Sequence, residues 1–123
     1  MGDRRRYVGL LVLGFLLATA SNAGAATMAT FGRCLKSKGA VFYGASWCPH
    51  CHAQRETLGD AMDYVKYVEC SVDGTRETTA ACHAANVDGY PTWKFADGSK
   101  KSGEQSLEAL ATKTGCELPK SEH

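Results

Sequence analysis

Val41-Phe42-Tyr43-Gly44-Ala45-Ser46-Trp47-Cys48-Pro49-His50-Cys51 is the stretch that decides how this chain is read. Its first part, with Ala40, is a continuous apolar run that follows Gly39. Such a run predicts a buried strand, covered on both faces of its sheet. Its second part is a C-x-x-C motif that opens a helix. The motif alone is weak, but its place after a buried strand gives it a mechanism. A helix N-terminus carries unpaired N–H groups and about half a positive charge, and both stabilise the thiolate of Cys48 over its thiol. Cys51, one turn on, is within reach of Cys48 and can attack a mixed disulfide formed there. Pro49 fixes φ in the first turn without removing a needed donor. His50, when protonated, adds positive potential beside the thiolate.

The segments around this stretch alternate between helical and strand patterns. Upstream, Thr27–Lys38 sets Met28, Phe31 and Leu35 at helical spacing and ends at Gly39. Downstream, Ala53, Leu58, Ala61, Met62 and Val65 predict a helix over His52–Val65, weakened in its middle by Gly59. Lys66–Ser71 reads as a second strand, Asp73-Gly74 as a turn and Thr75–Ala85 as a third helix. Thr92–Phe95 is a third strand, and Asp97-Gly98 turns it into a return strand at Lys100–Ser102. Ser106–Thr114 is the last helix, capped by Ser106 and closed by Gly115. The order implies an α/β fold, with helices on both faces of a small mixed sheet. Strands separated by helices are expected to pair in parallel, with the final hairpin adding an antiparallel strand.

Composition narrows the function classes. A chain of 123 residues is one domain, and 44% hydrophobic residues exclude a disordered one. A net charge of +1 excludes a nucleic-acid surface or a polybasic membrane patch. The small excess of base belongs to Arg4, Arg5 and Arg6. With the apolar run from Tyr7 to Ala20 and the small residues to Ala26, they read as a signal peptide. Residues 1–25 are then expected to be removed after Ala25 or, if uncleaved, to anchor the protein. Residues 26–123 form the exported domain, in a compartment that permits disulfides.

The longer pattern adds a resemblance. Phe42 to His52 is followed by Tyr67-Val68-Glu69-Cys70, Cys82, Tyr90-Pro91-Thr92-Trp93 and Ser106-Leu107-Glu108-Ala109-Leu110. It resembles a thioredoxin-fold domain over nearly all of the exported part. The tetrapeptide Cys48-Pro49-His50-Cys51 is typical of DsbA-type oxidants. The wider pattern is similar to the thioredoxin-like domain associated with bacterial vitamin K epoxide reductase homologues. The resemblance implies a thioredoxin fold and a thiol–disulfide oxidoreductase, with Cys48 as attacking and Cys51 as resolving cysteine. It makes Pro91 a cis-proline facing the site. It makes the backbone of Tyr90 a pairing edge for substrate, and Trp47 an apolar contact.

Partners and compartment follow from the same resemblance. The expected substrates are cysteine-containing exported proteins, in the periplasm or thylakoid lumen. The expected reoxidant is a membrane quinone-linked protein. The chemistry calls for no cofactor and no metal, and the domain is expected to act as a monomer. In one place the chain departs from the pattern. Many relatives carry a buried acid six residues before the first active-site cysteine, and here that residue is Phe42. No carboxylate in this strand can take a proton from Cys51, which favours an oxidant or relay over a fast reductase.

The other four cysteines, Cys34, Cys70, Cys82 and Cys116, allow three pairings. The resemblance supports Cys70–Cys82, which leaves Cys34 with Cys116. These pairs read as staples, with a second redox pair at Cys70–Cys82 as the sharper reading. Three other functions fit parts of the sequence. Cys48-Pro49-His50-Cys51-His52 satisfies the c-type haem attachment signature, with Met28 or Met62 as distal ligand. Cys48, Cys51, Cys82 and His83 offer zinc-ligand types at a spacing unlike that of a paired zinc knuckle. A disulfide reductase would use the same Cys48–Cys51 pair in the opposite direction.

Overall fold

The computed structural model describes residues 26–120, together with Gly14. The leader expected over residues 1–25 lies outside the described residues, Gly14 apart. Helix α1 spans Met28–Ser37 and strand β1 Val41–Gly44. Helix α2 spans Pro49–Leu58 and is followed by a 3-10 turn at Gly59–Asp63. Strand β2 (Lys66–Glu69), helix α3 (Ala80–Ala84), strands β3 (Thr92–Lys94) and β4 (Lys100–Ser102) and helix α4 (Leu107–Thr114) complete the order. Among the described residues no helix is long and apolar enough to cross a membrane.

Local chemistry sets the ends of these elements. Thr27 caps α1, its hydroxyl accepting from the Thr30 N–H while Thr30 answers the Thr27 N–H. Ser106 caps α4 from the Ala109 N–H, and Gly115 ends it in the left-handed region at φ 77°. The helix expected over His52–Val65 is two pieces. Gly59, at φ 49° and ψ −127°, stops α2, and the chain tightens into the 3-10 turn. The helix expected over Thr75–Ala85 is also shorter, since only Ala80–Ala84 is helical. Thr78 instead bridges Ser71, and the Thr79 hydroxyl caps α3 by accepting from the Cys82 N–H.

The sheet has the order β2-β1-β3-β4. β1 pairs with β2 in parallel, as expected, placing Phe42 opposite Tyr67. β3 departs from the expectation and runs antiparallel to β1, with Phe42 opposite Trp93. The link 70–91 is not a crossover along the sheet but stays by the end of β2, where the Thr79 N–H returns to the Cys70 carbonyl. The chain therefore enters β3 from the end at which it left β2, and Tyr90-Pro91 arrives at the same end as Cys48.

Alternation along β1 divides the core. Phe42 and Gly44 face the larger cluster, which holds Phe31 and Leu35 of α1, Leu58 of α2, Trp93 of β3 and Leu110 of α4. Phe42 stacks on Trp93 at 5.2 Å and meets Tyr67 edge-on at 5.1 Å. Tyr43 and Val68 face the smaller cluster of Cys70, Cys82 and Val87. Two disulfides tie these layers, Cys70–Cys82 within the smaller cluster and Cys34–Cys116 between α1 and the segment after α4. Close backbone approach fixes α1 on the 3-10 turn, where a Cβ at Gly32 would collide with the Ala61 backbone.

Candidate active site

Cys48 is the N-cap of α2, at φ −82° and ψ 118°, with Pro49 as the first helical residue and no acidic residue in the first turn. Its carbonyl accepts from the N–H groups of Cys51 and His52, both at 3.1 Å. Its side chain makes no capping bond. The Sγ–H instead points to the Tyr90 carbonyl at 3.6 Å. The Tyr90–Pro91 peptide bond is cis. Cys48 and Cys51 both carry free thiols, but their surroundings differ. Cys48 is 5% exposed and Cys51 is 0% exposed.

Gly44 makes room for Cys51. A Cβ there would sit 3.1 Å from the Cys51 Sγ, 3.0 Å from the Tyr67 ring and 3.1 Å from the Phe42 ring. The sulfur and the two rings thus close on the same space beside Gly44. Burial pushes the Cys51 thiol up to about 12, against a backbone hydrogen bond from Ala45, with the neighbouring Cys48 adding to the rise and Arg55 opposing it. Phe42 offers no proton acceptor to this thiol.

A carboxylate from the next strand organises the loop before Cys48. Glu69 Oε1 accepts from the Ser46 N–H and the Ser71 N–H, each at 3.0 Å, and from the Ser71 hydroxyl at 2.5 Å. Its Oε2 accepts from the Tyr67 hydroxyl at 2.7 Å. Burial alone raises such an acid, but the hydrogen bonds from Ser71 and Tyr67, with the backbone N–H groups of Ser71 and Ser46, hold Glu69 below the usual carboxylate range. The same Glu69 bond, together with burial, pushes the Tyr67 hydroxyl up to about 12. Arg55 lies over the Tyr67 ring at 4.2 Å. The Ser46 carbonyl accepts from His52 Nε2 at 2.6 Å, so this loop is held at its N–H, its carbonyl and its hydroxyl.

The remaining expected residues surround Cys48. Trp47 stands T-shaped to Tyr90, with centroids 6.0 Å apart, and its Nε1–H donates to the Thr75 carbonyl at 2.9 Å. His50 is exposed and pairs with Glu104 at 2.8 Å, a partner that the sequence did not suggest. A second unexpected residue is Gln54, fully buried on α2. Its Oε1 accepts from Trp93 Nε1 at 3.1 Å and the Gln105 N–H at 2.7 Å, and its Nε2 donates to the Gln105 carbonyl at 3.0 Å. This locks the active-site helix to β3 and to the chain entering α4. Nothing but a polar residue inside an otherwise apolar helical stripe could have flagged it.

The competing ligand readings meet the same geometry. His52 commits Nε2 to the Ser46 carbonyl, and Cys51 is enclosed where no porphyrin reaches without opening the core. Cys82, weighed as a zinc ligand, is bonded to Cys70. Among the described residues no group of three or more His, Cys, Asp or Glu side chains is arranged to hold a metal ion.

The chain is similar to known proteins. The thioredoxin family profile matches residues 25–114. The chain is 44% identical over 88 residues to the thiol-disulfide oxidoreductase LTO1 of Arabidopsis thaliana. That match covers 68% of this chain and 23% of the plant protein, so the chain spans less than a quarter of its relative's length. Among solved structures, the thioredoxin of Fasciola hepatica aligns with a TM-score of 0.43 and 23% identity, over 75% of this chain and 96% of that one.

Proposed function

The chain belongs to the thioredoxin family, and on that premise we propose that it is a thiol–disulfide oxidoreductase that forms or relays disulfides in exported proteins through Cys48 and Cys51. The observation that carries this reading is the asymmetry of the pair. Cys48 lies at a helix N-terminus against the Tyr90 carbonyl, and Cys51 lies sealed one turn deeper.

In the oxidising direction a substrate thiolate attacks Cys48 Sγ of the Cys48–Cys51 disulfide. The S–S bond breaks, a mixed disulfide forms at Cys48, and Cys51 leaves and takes up a proton. A second substrate thiolate then attacks the substrate sulfur of the mixed disulfide. The substrate departs with a new disulfide, and Cys48 departs as thiolate. Two electrons have moved from substrate to enzyme, with one proton held on Cys51 and Cys48 left as the thiolate. The reverse escape needs Cys51 to deprotonate and attack, which burial of its thiol disfavours. The missing acid at Phe42 acts in the same sense. Both leave time for the substrate's second thiol, and so favour donation of disulfides.

The reduced pair must pass its two electrons onward, and a membrane quinone-linked oxidoreductase is the class of acceptor we propose. The leader motif of residues 1–25 supports export, to a periplasm or thylakoid lumen. The deciding experiment equilibrates the purified protein with glutathione buffers. A reduction potential near −120 mV, about the DsbA value, is expected for a disulfide donor. A value near −270 mV, about the thioredoxin value, would mark a reductase and overturn the direction.

A further inference from the structure

Cys70 and Cys82 are both fully buried, and between them the chain leaves the core as an exposed loop. The loop is folded on itself. The Val72 N–H donates to the Glu77 carbonyl, the Thr75 N–H to the Val72 carbonyl and the Thr79 N–H to the Cys70 carbonyl, each at 2.9 Å. Three contacts run from it to the rim of the active site. The Thr75 carbonyl accepts from Trp47 Nε1. The Arg76 guanidinium lies 3.9 Å over the Trp47 ring. The Thr78 and Tyr90 hydroxyls share a hydrogen bond at 3.2 Å. At its start, Ser71 joins the loop to Ser46 through Glu69.

Trp47 and Tyr90 flank Cys48, and neither is buried. A large side chain left free at such a rim must be ordered when a partner binds, and that ordering weakens binding. Here the cost is met in advance by a loop whose two ends are joined by a disulfide. That disulfide has no part in electron transfer in this arrangement, because exchange needs a thiolate to reach a disulfide sulfur and both sulfurs are enclosed.

We propose that the loop closed by Cys70–Cys82 is a positioning element for protein substrates, holding Trp47 and Tyr90 in the arrangement that receives the polypeptide carrying the attacking thiol. The inference rests on the thiol–disulfide reading of Cys48 and Cys51. A small dithiol needs only the sulfur of Cys48, whereas an unfolded chain must also lie against the rim. The two classes of substrate should therefore separate.

The test compares the oxidised protein with Cys70→Ala/Cys82→Ala, Trp47→Phe and Thr78→Val. Each is assayed on reduced, unfolded ribonuclease A and on dithiothreitol, with glutathione disulfide to reoxidise Cys48–Cys51 between turnovers and the enzyme-free rate subtracted. The cysteine variant is expected to raise KM for ribonuclease roughly tenfold, with kcat and the dithiothreitol rate within about twofold of the parent. Trp47→Phe removes the donor to Thr75 and reduces the ring beneath Arg76, and Thr78→Val removes only the bond to Tyr90. Both should raise the same KM by smaller factors. An unchanged KM in all variants overturns the proposal, as does a dithiothreitol rate that falls in step with ribonuclease turnover. If circular dichroism shows the cysteine variant unfolded, the other two decide by the same criteria. If the parent oxidises neither substrate, the thiol–disulfide reading itself has failed, and the loop's proposed role falls with it.

Discussion

The Cys48–Cys51 region and the Cys70–Cys82 region use the same side chain for opposite ends, and surroundings make the difference. Cys48 and Cys51 sit three residues apart at the start of a helix, one sulfur at the rim and the other against Gly44. Cys70 and Cys82 sit twelve apart, both sealed with Val87 in a separate cluster. A sulfur exchanges when a thiolate can line up with it, and it holds a fold together when nothing can. The lesson is that sequence spacing names the candidates, and that the helix N-terminus under Cys48 sets it apart, since Cys116 is as little exposed as Cys48 yet is bonded to Cys34.

The largest effect should come from breaking the first region. Cys48→Ser is expected to lower disulfide transfer to protein substrates roughly a thousand-fold or more, as removal of an attacking group does in other enzymes. The fold should persist, because the change replaces one small side chain at a helix cap that makes no capping bond. Turnover on reduced protein with circular dichroism in parallel checks this. Substantial residual activity would mean that another sulfur carries the exchange.

Cys34–Cys116 sharpens the contrast from the other side. It joins positions 82 apart, against 12 for Cys70–Cys82. In the chain-entropy account its removal costs about 4.5 kcal/mol, and removal of the shorter link about 3 kcal/mol. It ties α1 to the segment after α4, neither of which holds Trp47, Cys48 or Tyr90. Cys34→Ala/Cys116→Ala is therefore expected to lower stability more than Cys70→Ala/Cys82→Ala, yet to leave KM for protein substrates unchanged. Urea denaturation and steady-state kinetics on both pairs test that crossing. If both pairs shift KM alike, the distinction between staple and positioning element is lost.

How much of this was legible in the sequence follows physical range. The buried strand, the C-x-x-C at its end, the Ser106 cap and the Gly115 stop are local patterns, and each stands where the sequence placed it. Gly59 was visible as a weakness, but its left-handed φ and the break in α2 were not. The segment Thr75–Thr79 reads as helical only by its place before Ala80–Ala84, since three of its five residues are β-branched threonines. It is held out of a helix by the Ser71–Thr78 bridge and by its contacts with Trp47 and Tyr90, partners far away in sequence. Gln54 and Glu69 were missed for the same reason. Gln54 bonds residues 39 and 51 positions away, and Glu69 bonds Ser46 from 23 positions away. The antiparallel β3 was hidden because alternating helix and strand patterns do not set strand direction, which is fixed by pairing Thr92 with Tyr43, far away in sequence.

Proton binding gives a third way to test the active pair. Cys51 in the reduced fold is raised from an ordinary 9.0 to about 12. A thiol raised on folding binds its proton more tightly in the folded state. Its contribution to stability is thus fully present below about pH 9 and is lost as pH rises toward 12. Reduced protein is expected to lose stability across that window, and oxidised protein, which has no thiol there, to lose less. Denaturation midpoints of the two forms between pH 8 and pH 11 check it. Parallel curves would mean that Cys51 is not held protonated by its burial.

The smallest expected effect lies at the outermost contact of the active end, between His50 and Glu104. The two side chains are 71% and 42% exposed, so the pair contributes at most about 1 kcal/mol to stability. His50 opens α2 and Glu104 stands just before α4, so the contact joins two elements that Gln54 already holds together from inside. Glu104→Gln and His50→Ala are therefore each expected to shift the urea midpoint only slightly, and the double variant to shift it no further than the larger single change, because each single change already removes the whole contact. A loss well above about 1 kcal/mol in either single variant would show that this exposed pair, and not the buried Gln54, clamps the active-site helix.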